Sequence, residues 1–185
     1  VRGHRSLGSS MTAVGMVTFL QRLEGIDLEA KKAQGRDGRG ELPADFFKTY
    51  SAFANTNGGV VLLGVSERPD HTFEVVGIQD VQRVRKSLWD GVNNPQRVSA
   101  NVLRDEDVEV LEVDGKNVLH VRIPRALRTQ KPVYLGSNPM TGTYRRNHEG
   151  DYQCADDVVR RMLAEQRDET RDADVLEHYG LDDIN

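Results

Sequence analysis

The chain has 185 residues, of which 37% are hydrophobic and 29% charged, with a formal net charge of −4 at pH 7 and a single cysteine. That balance suits one globular domain with a tail rather than a disordered polymer. No apolar run is long enough to span a bilayer, and the lone Cys154 rules out an internal disulfide and points to a reducing, cytoplasmic setting.

The five histidines are scattered and make no zinc pattern. Charge is unevenly spread. Four of the 25 basic and eleven of the 29 acidic residues fall from Asp151 onward, so the stretch before it carries a small positive excess and the tail is acidic. Local patches govern contact with polyanions more than the total does.

Residues 1–12 read as a tag or disordered N-terminus, with Met11 as the native start. A domain is expected over 13–167. Met16 to Leu23 has an amphipathic helical pattern that Gly25 ends. Ile26 to Lys31 alternates, with Ile26, Leu28 and Ala30 on one face and Asp27, Glu29 and Lys31 on the other, as in a half-buried strand. The next stretch, Ala33 to Gly40, is rich in glycine and charge and reads as a mobile loop beside Lys32.

Leu42 to Val65 is the unit around which the rest is organised. Pro43 suits a first helical turn, and Phe46, Phe47, Tyr50, Phe53 and Ala54 recur at helical spacing. Asn57-Gly58 ends the helix, and Val60 to Val65 reads as a strand buried on both faces. The glycine pair leaves a helix and enters a strand, the reverse of a phosphate loop, and no Gly-Lys-Ser/Thr follows.

Ser66 to His71 reads as a turn, Phe73 to Gly77 as a short strand, and Val81 to Val92 as a helix stopped by Asn93-Asn94-Pro95. Three strands are expected at Val98–Leu103, Val108–Val113 and Asn117–Ile123. The Asp114-Gly115 hairpin would oppose Val110 to Leu119, Val108 to Val121 and Glu109 to His120. Pro124 to Lys131 is a loop bearing Arg125, Arg128 and Lys131. Short strands are expected at Val133–Leu135 and Thr143–Arg146, and a helix at Cys154–Arg167. Residues 168–185 read as an acidic linker into a further domain. The fold class is α/β (α+β): a single mixed sheet packed by about three helices.

Ser51-Ala52-Phe53-Ala54-Asn55-Thr56-Asn57-Gly58-Gly59, followed by Leu63-Gly64-Val65, closely resembles the signature of the Schlafen AlbA-type domain. Glu29-Ala30-Lys31 is similar to that family's upstream Glu-Phe-Lys. Pro132-Val133-Tyr134 and Tyr144-Arg145-Arg146 are similar to its later motifs, and the resemblance covers about Phe19 to Leu163. It implies a Schlafen/Alba-like fold and a nucleic-acid (DNA) binding module of a transcriptional-regulator-like protein. ATP is implied only through a domain of a longer protein.

Three functions follow as expectations. In the first, arginines bind phosphate bidentately and a tyrosine stacks on an unpaired base; the candidates are Arg125, Arg128, Lys131, Tyr144, Arg145 and Arg146. The second, which the resemblance also implies, is a metal-dependent endoribonuclease. There Glu24, Glu29 and Glu67 would hold Mg²⁺ or Mn²⁺ and Lys31, two residues from Glu29, would steady the developing charge. Glu24 and Glu29 stand five apart, and Ser66-Glu67 occupies the place of an acidic pair. The third is a module for homodimerisation or signal relay through free strand edges. No membrane partner is expected, and Arg145 or Arg146 could instead pair with Glu149 or Asp151.

Overall fold

The computed structural model describes residues 10–23, 25–148 and 150–182. Glu24 and Glu149 fall outside the described residues. The strands are β1 (Ser10–Met11), β2 (Leu28–Lys31), β3 (Gly59–Leu63), β4 (Val65–Glu67), β5 (Phe73–Val75), β6 (Val108–Val113), β7 (Lys116–Ile123), β8 (Tyr144–Asn147) and β9 (Gly150–Gln153). The α-helices are α1 (Ala13–Arg22), α2 (Phe46–Asn55), α3 (Val81–Val92), α4 (Pro139–Gly142) and α5 (Asp156–Asp182), with a 3₁₀ turn at Asp105–Asp107.

One mixed sheet forms the body, in the order β1-β6-β7-β3-β2. β1 and β6 run parallel, as do β2 and β3, whereas β7 is antiparallel to both its neighbours. Two small ribbons, β4–β5 and β8–β9, are added to it. The expected hairpin register holds: Val110 opposes Leu119, Val108 opposes Val121 and Glu109 opposes His120.

Alternation along β3 builds two cores. Val61 and Leu63 of β3 face α2 and α3, where Phe46, Phe47, Tyr50, Phe53, Val84 and Leu88 are buried against them. Val60 and Leu62 face the other way and pack with Met16 of α1 and with Leu28 and Ala30 of β2. The same period-2 rule sends Glu29 and Lys31 of β2 to the α2 side of the sheet.

Two glycines set the path of this unit. Gly58 lies at φ +73°, and a Cβ there would stand 2.7 Å from the Ile123 carbonyl oxygen. Gly64 lies at φ +94° and breaks the apolar run, so β3 ends at Leu63 and the chain turns into β4.

Several segments differ from expectation. Val98 to Leu103 is no strand: only Val98 makes a bridge, to Leu135, and the Val102 N–H donates to the Tyr50 hydroxyl instead of to a neighbouring strand. Val133–Leu135 is reduced to isolated bridges, Val98–Leu135 and Tyr134–Thr143. Ser66 and Glu67 belong to β4 rather than to a turn. Ser10 and Met11, read as part of a tag or disordered start, pair with Glu112 and Val113 at the sheet edge. The acidic stretch Asp168–Asp174 is helical, because α5 runs through it without a glycine or proline.

Candidate nucleic-acid interface

Helix α2 is buried almost all round, so its polar residues must find partners inside the protein. They find them in the segment 133–146. Asn55 Nδ2 donates to the carbonyls of Val133 (2.8 Å) and Tyr144 (2.9 Å), while its Oδ1 accepts from the Val133 N–H at 2.8 Å. Ser51 Oγ donates to the Val133 carbonyl at 2.7 Å and accepts from the Tyr144 N–H at 3.1 Å. Thr56 Oγ1 donates to the Ala52 carbonyl and accepts from the Arg146 N–H, both at 2.8 Å. The serine, asparagine and threonine of the signature are therefore pegs for backbone: Ser51 and Asn55, four apart, share one side of the helix, and Thr56 follows at its C-cap.

The other basic segment is anchored to the same helix. The Ala126 N–H donates to the Ala54 carbonyl at 2.9 Å, and Gly58 fits against Pro124 and Arg125. Loop 124–131 and strand β8 are thus both tied to the last turn of α2.

The six cations and aromatics named from the sequence meet different fates. Arg125 and Arg145 are exposed and have no ion-pair partner among the described residues. Arg128 is exposed and pairs with Glu169 at 3.3 Å. Lys131 is buried; burial lowers its pKa, and Arg125 and Arg128 push it the same way. Tyr144 is half-buried, and Lys48 Nζ sits 5.3 Å from its ring centre. Lys48 is an exposed cation that sequence reading missed; its place beside Tyr144 comes from α2 and β8 packing together, which no local pattern announces.

Arg146 corrects the expectation most clearly. It lies across from Asp151 in the β8–β9 register, its side chain is 6% exposed, and it donates to Asp151 and Glu29 at 2.9 Å each. Burial works against its charge, and the hydrogen bonds to Asp151 and Glu29 more than offset this, so its pKa is raised. It also stacks over Phe53 at 5.2 Å. A guanidinium so enclosed supports the fold and is not presented to a polyanion.

The carboxylates are similarly occupied. Glu29 takes Arg146 and lies 3.9 Å from Lys31, whose ammonium donates to Asp45 at 2.9 Å. Glu67 is exposed and pairs with His71 at 3.1 Å. Glu24 lies outside the described residues. Among the described residues no three His, Cys, Asp or Glu side chains group closely enough to hold a metal ion, and no helix is long and apolar enough to cross a membrane.

No curated protein matches the chain. Among solved structures, the N-terminal domain of a RecG-related protein from Nitrosomonas europaea is 28% identical, with a TM-score of 0.51 over 75% of this chain and 92% of that one. The DIP2311 protein from Corynebacterium diphtheriae is 17% identical, with a TM-score of 0.47 over 76% of this chain and 27% of that one. The family model described as Schlafen, AlbA_2 matches residues 24–155, a span that runs from the end of α1 to the start of α5 and contains every peg and basic segment described above. The chain belongs to the Schlafen AlbA_2 family.

Proposed function

We propose that this domain binds nucleic acid along the face where loop 124–131 and strand β8 meet the end of α2. One observation carries the reading: two separate basic segments are hydrogen-bonded to the same end of α2, through Ala54 for one and Thr56 for the other. Lys48, Arg125 and Arg145 supply cations without carboxylate partners among the described residues, and Tyr144 offers a ring for stacking. Such contacts hold a backbone without reading its sequence. DNA is the polymer we favour, since the similar RecG-related protein carries a DNA-helicase name. A place within a transcriptional-regulator-like protein belongs to the same proposal.

The test is binding of labelled single- and double-stranded DNA across a salt series. Three phosphate contacts give a log–log slope of roughly −2 to −3. The Lys48→Ala/Arg125→Ala/Arg145→Ala variant is expected to lose about tenfold or more in affinity at low salt and to flatten that slope. Affinity that ignores salt, or that the triple variant leaves intact, refutes the proposal.

A further inference from the structure

Beside the loop that carries Arg125, a cleft of about 400 Å³ opens between the segment 101–107, the end of β7 and residues 124–130. Its walls bring together three guanidiniums from separate parts of the chain: Arg104 before the 3₁₀ turn, Arg122 on β7 and Arg125 in the loop. All three are exposed, and none has an ion pair among the described residues. Two carboxylates also line the cleft. Asp107 is buried and spends one oxygen on the Arg104 N–H at 2.8 Å, which closes the 3₁₀ turn; Glu106 is exposed. The guanidiniums therefore outnumber the acids.

The lip formed by residues 124–130 carries Arg125 and a closed turn. The Gln130 N–H donates to the Leu127 carbonyl at 2.9 Å, and the Leu127 N–H donates back to Gln130 Oε1 at 2.9 Å. This closed turn leaves the Gln130 Nε2 amide without an acceptor among the described residues and holds Leu127 out with 67% of its surface exposed. A leucine held out in water by a self-bonded turn, in the same cleft as three guanidiniums, suits a ligand with an anionic group at one end and a flat apolar body at the other.

From this arrangement we infer that the cleft is a nucleotide subsite: Arg104 and Arg122 hold a phosphate, and Leu127 covers the sugar or base. The inference rests on the nucleic-acid reading and deepens it, because Arg125 belongs both to the cleft and to the proposed interface. The site takes one nucleotide of a bound strand, and free nucleoside monophosphate offers the same chemistry in miniature. Guanidinium forks match a phosphate's geometry, and Gln130 Nε2 adds a neutral donor.

The experiment follows the backbone amides of ¹⁵N-labelled protein during titration with AMP and, separately, with an eight-residue oligothymidylate. Both are expected to shift amides in 101–107 and 122–130, and the oligonucleotide is expected to displace AMP. Arg104→Ala/Arg122→Ala is expected to weaken AMP binding about tenfold or more, by the usual strength of charge-assisted hydrogen bonds, and Arg122→Lys to recover part of it. Lys48→Ala/Arg145→Ala is expected to weaken the oligonucleotide and leave AMP unchanged. AMP shifts that miss the cleft, or that persist undiminished in Arg104→Ala/Arg122→Ala, overturn the inference. So does a cleft that takes AMP while the oligonucleotide binds without competing. An oligonucleotide that fails to bind at all, with AMP still seated in the cleft, counts instead against the interface and against the strand-bound form of this subsite.

Discussion

Replacing Asn55 by alanine tests whether the signature is a structural clamp. The change removes the acceptor for the buried Val133 N–H and the donor to the Tyr144 carbonyl, while the Val133 carbonyl keeps the Ser51 hydroxyl. Stranding a buried polar group costs about 1–3 kcal/mol. Two such groups, one of them part-buried, give a loss of about 2–4 kcal/mol, or roughly 4–16 °C in Tm for a domain of this size. Urea unfolding followed by Trp89 fluorescence and by far-ultraviolet circular dichroism would show a lower midpoint at unchanged slope. Asn55→Asp is the sharper variant. It keeps the acceptor for Val133 but turns a carboxylate oxygen toward two carbonyls, so it is expected to be less stable than Asn55→Ala at pH 7. Its folded pKa would then stand above the unfolded value, so stability would return as the pH falls through that raised value toward about 3.9. A wild-type midpoint for Asn55→Ala, or indifference of Asn55→Asp to pH, would refute the clamp.

Three further outcomes are expected. Arg146→Ala should cost about 2–3 kcal/mol, below the full value for a buried pair because Glu29 keeps Lys31 and some water; adding Glu29→Gln and Asp151→Asn to Arg146→Met should restore most of the loss in urea midpoint. Tyr50→Phe should cost about 1–2 kcal/mol, since the hydroxyl joins the Val102 N–H to the Ala100 carbonyl; burial pushes that phenol up to about 12, so a tyrosinate absorbance step near there should vanish in the variant. His120 packs edge-on against Phe19, and burial lowers its pKa, opposed by Glu109 and aided by Arg122. The unfolded chain then binds the proton first, so stability should fall as pH drops below about 6.5, and His120→Leu should flatten Tm between pH 7 and 5.5.

Elements whose cause is local were legible in the sequence. Val81–Val92 shows its apolar stripe and, just beyond it, its Asn-Asn-Pro stop, and the structure places the helix at those bounds. The Asp114-Gly115 turn carries its register with it. Arg146 with Asp151 was half legible, because a tight ribbon sets them opposite each other. Its second partner, Glu29, sits on another strand far up the chain, and nothing nearby announces that contact. Val98–Leu103 alternates like a strand, yet strand pairing needs a free neighbour, and β1 and β7 flank β6 on both sides. Leu135 and the Tyr50 hydroxyl take up that segment instead. The acidic run after Arg167 looks like a spacer by composition; without a helix breaker, however, it continues α5. Arg104 and Arg122 escaped notice because a cleft assembled from three segments has no linear pattern.

The tie between Glu29 and Arg146 spans 117 residues, which has a consequence for synthesis on the ribosome. A closure that long is entropically late, and the first carboxylate must wait for its guanidinium until nearly the whole domain has left the exit tunnel. During that wait Ser51 and Asn55 lack Val133 and Tyr144, Thr56 lacks the Arg146 N–H, and only contacts within the helix are open to them. The interval between the emergence of α2 and that of Arg146 thus sets how long the nascent chain keeps its future interior open to the cell.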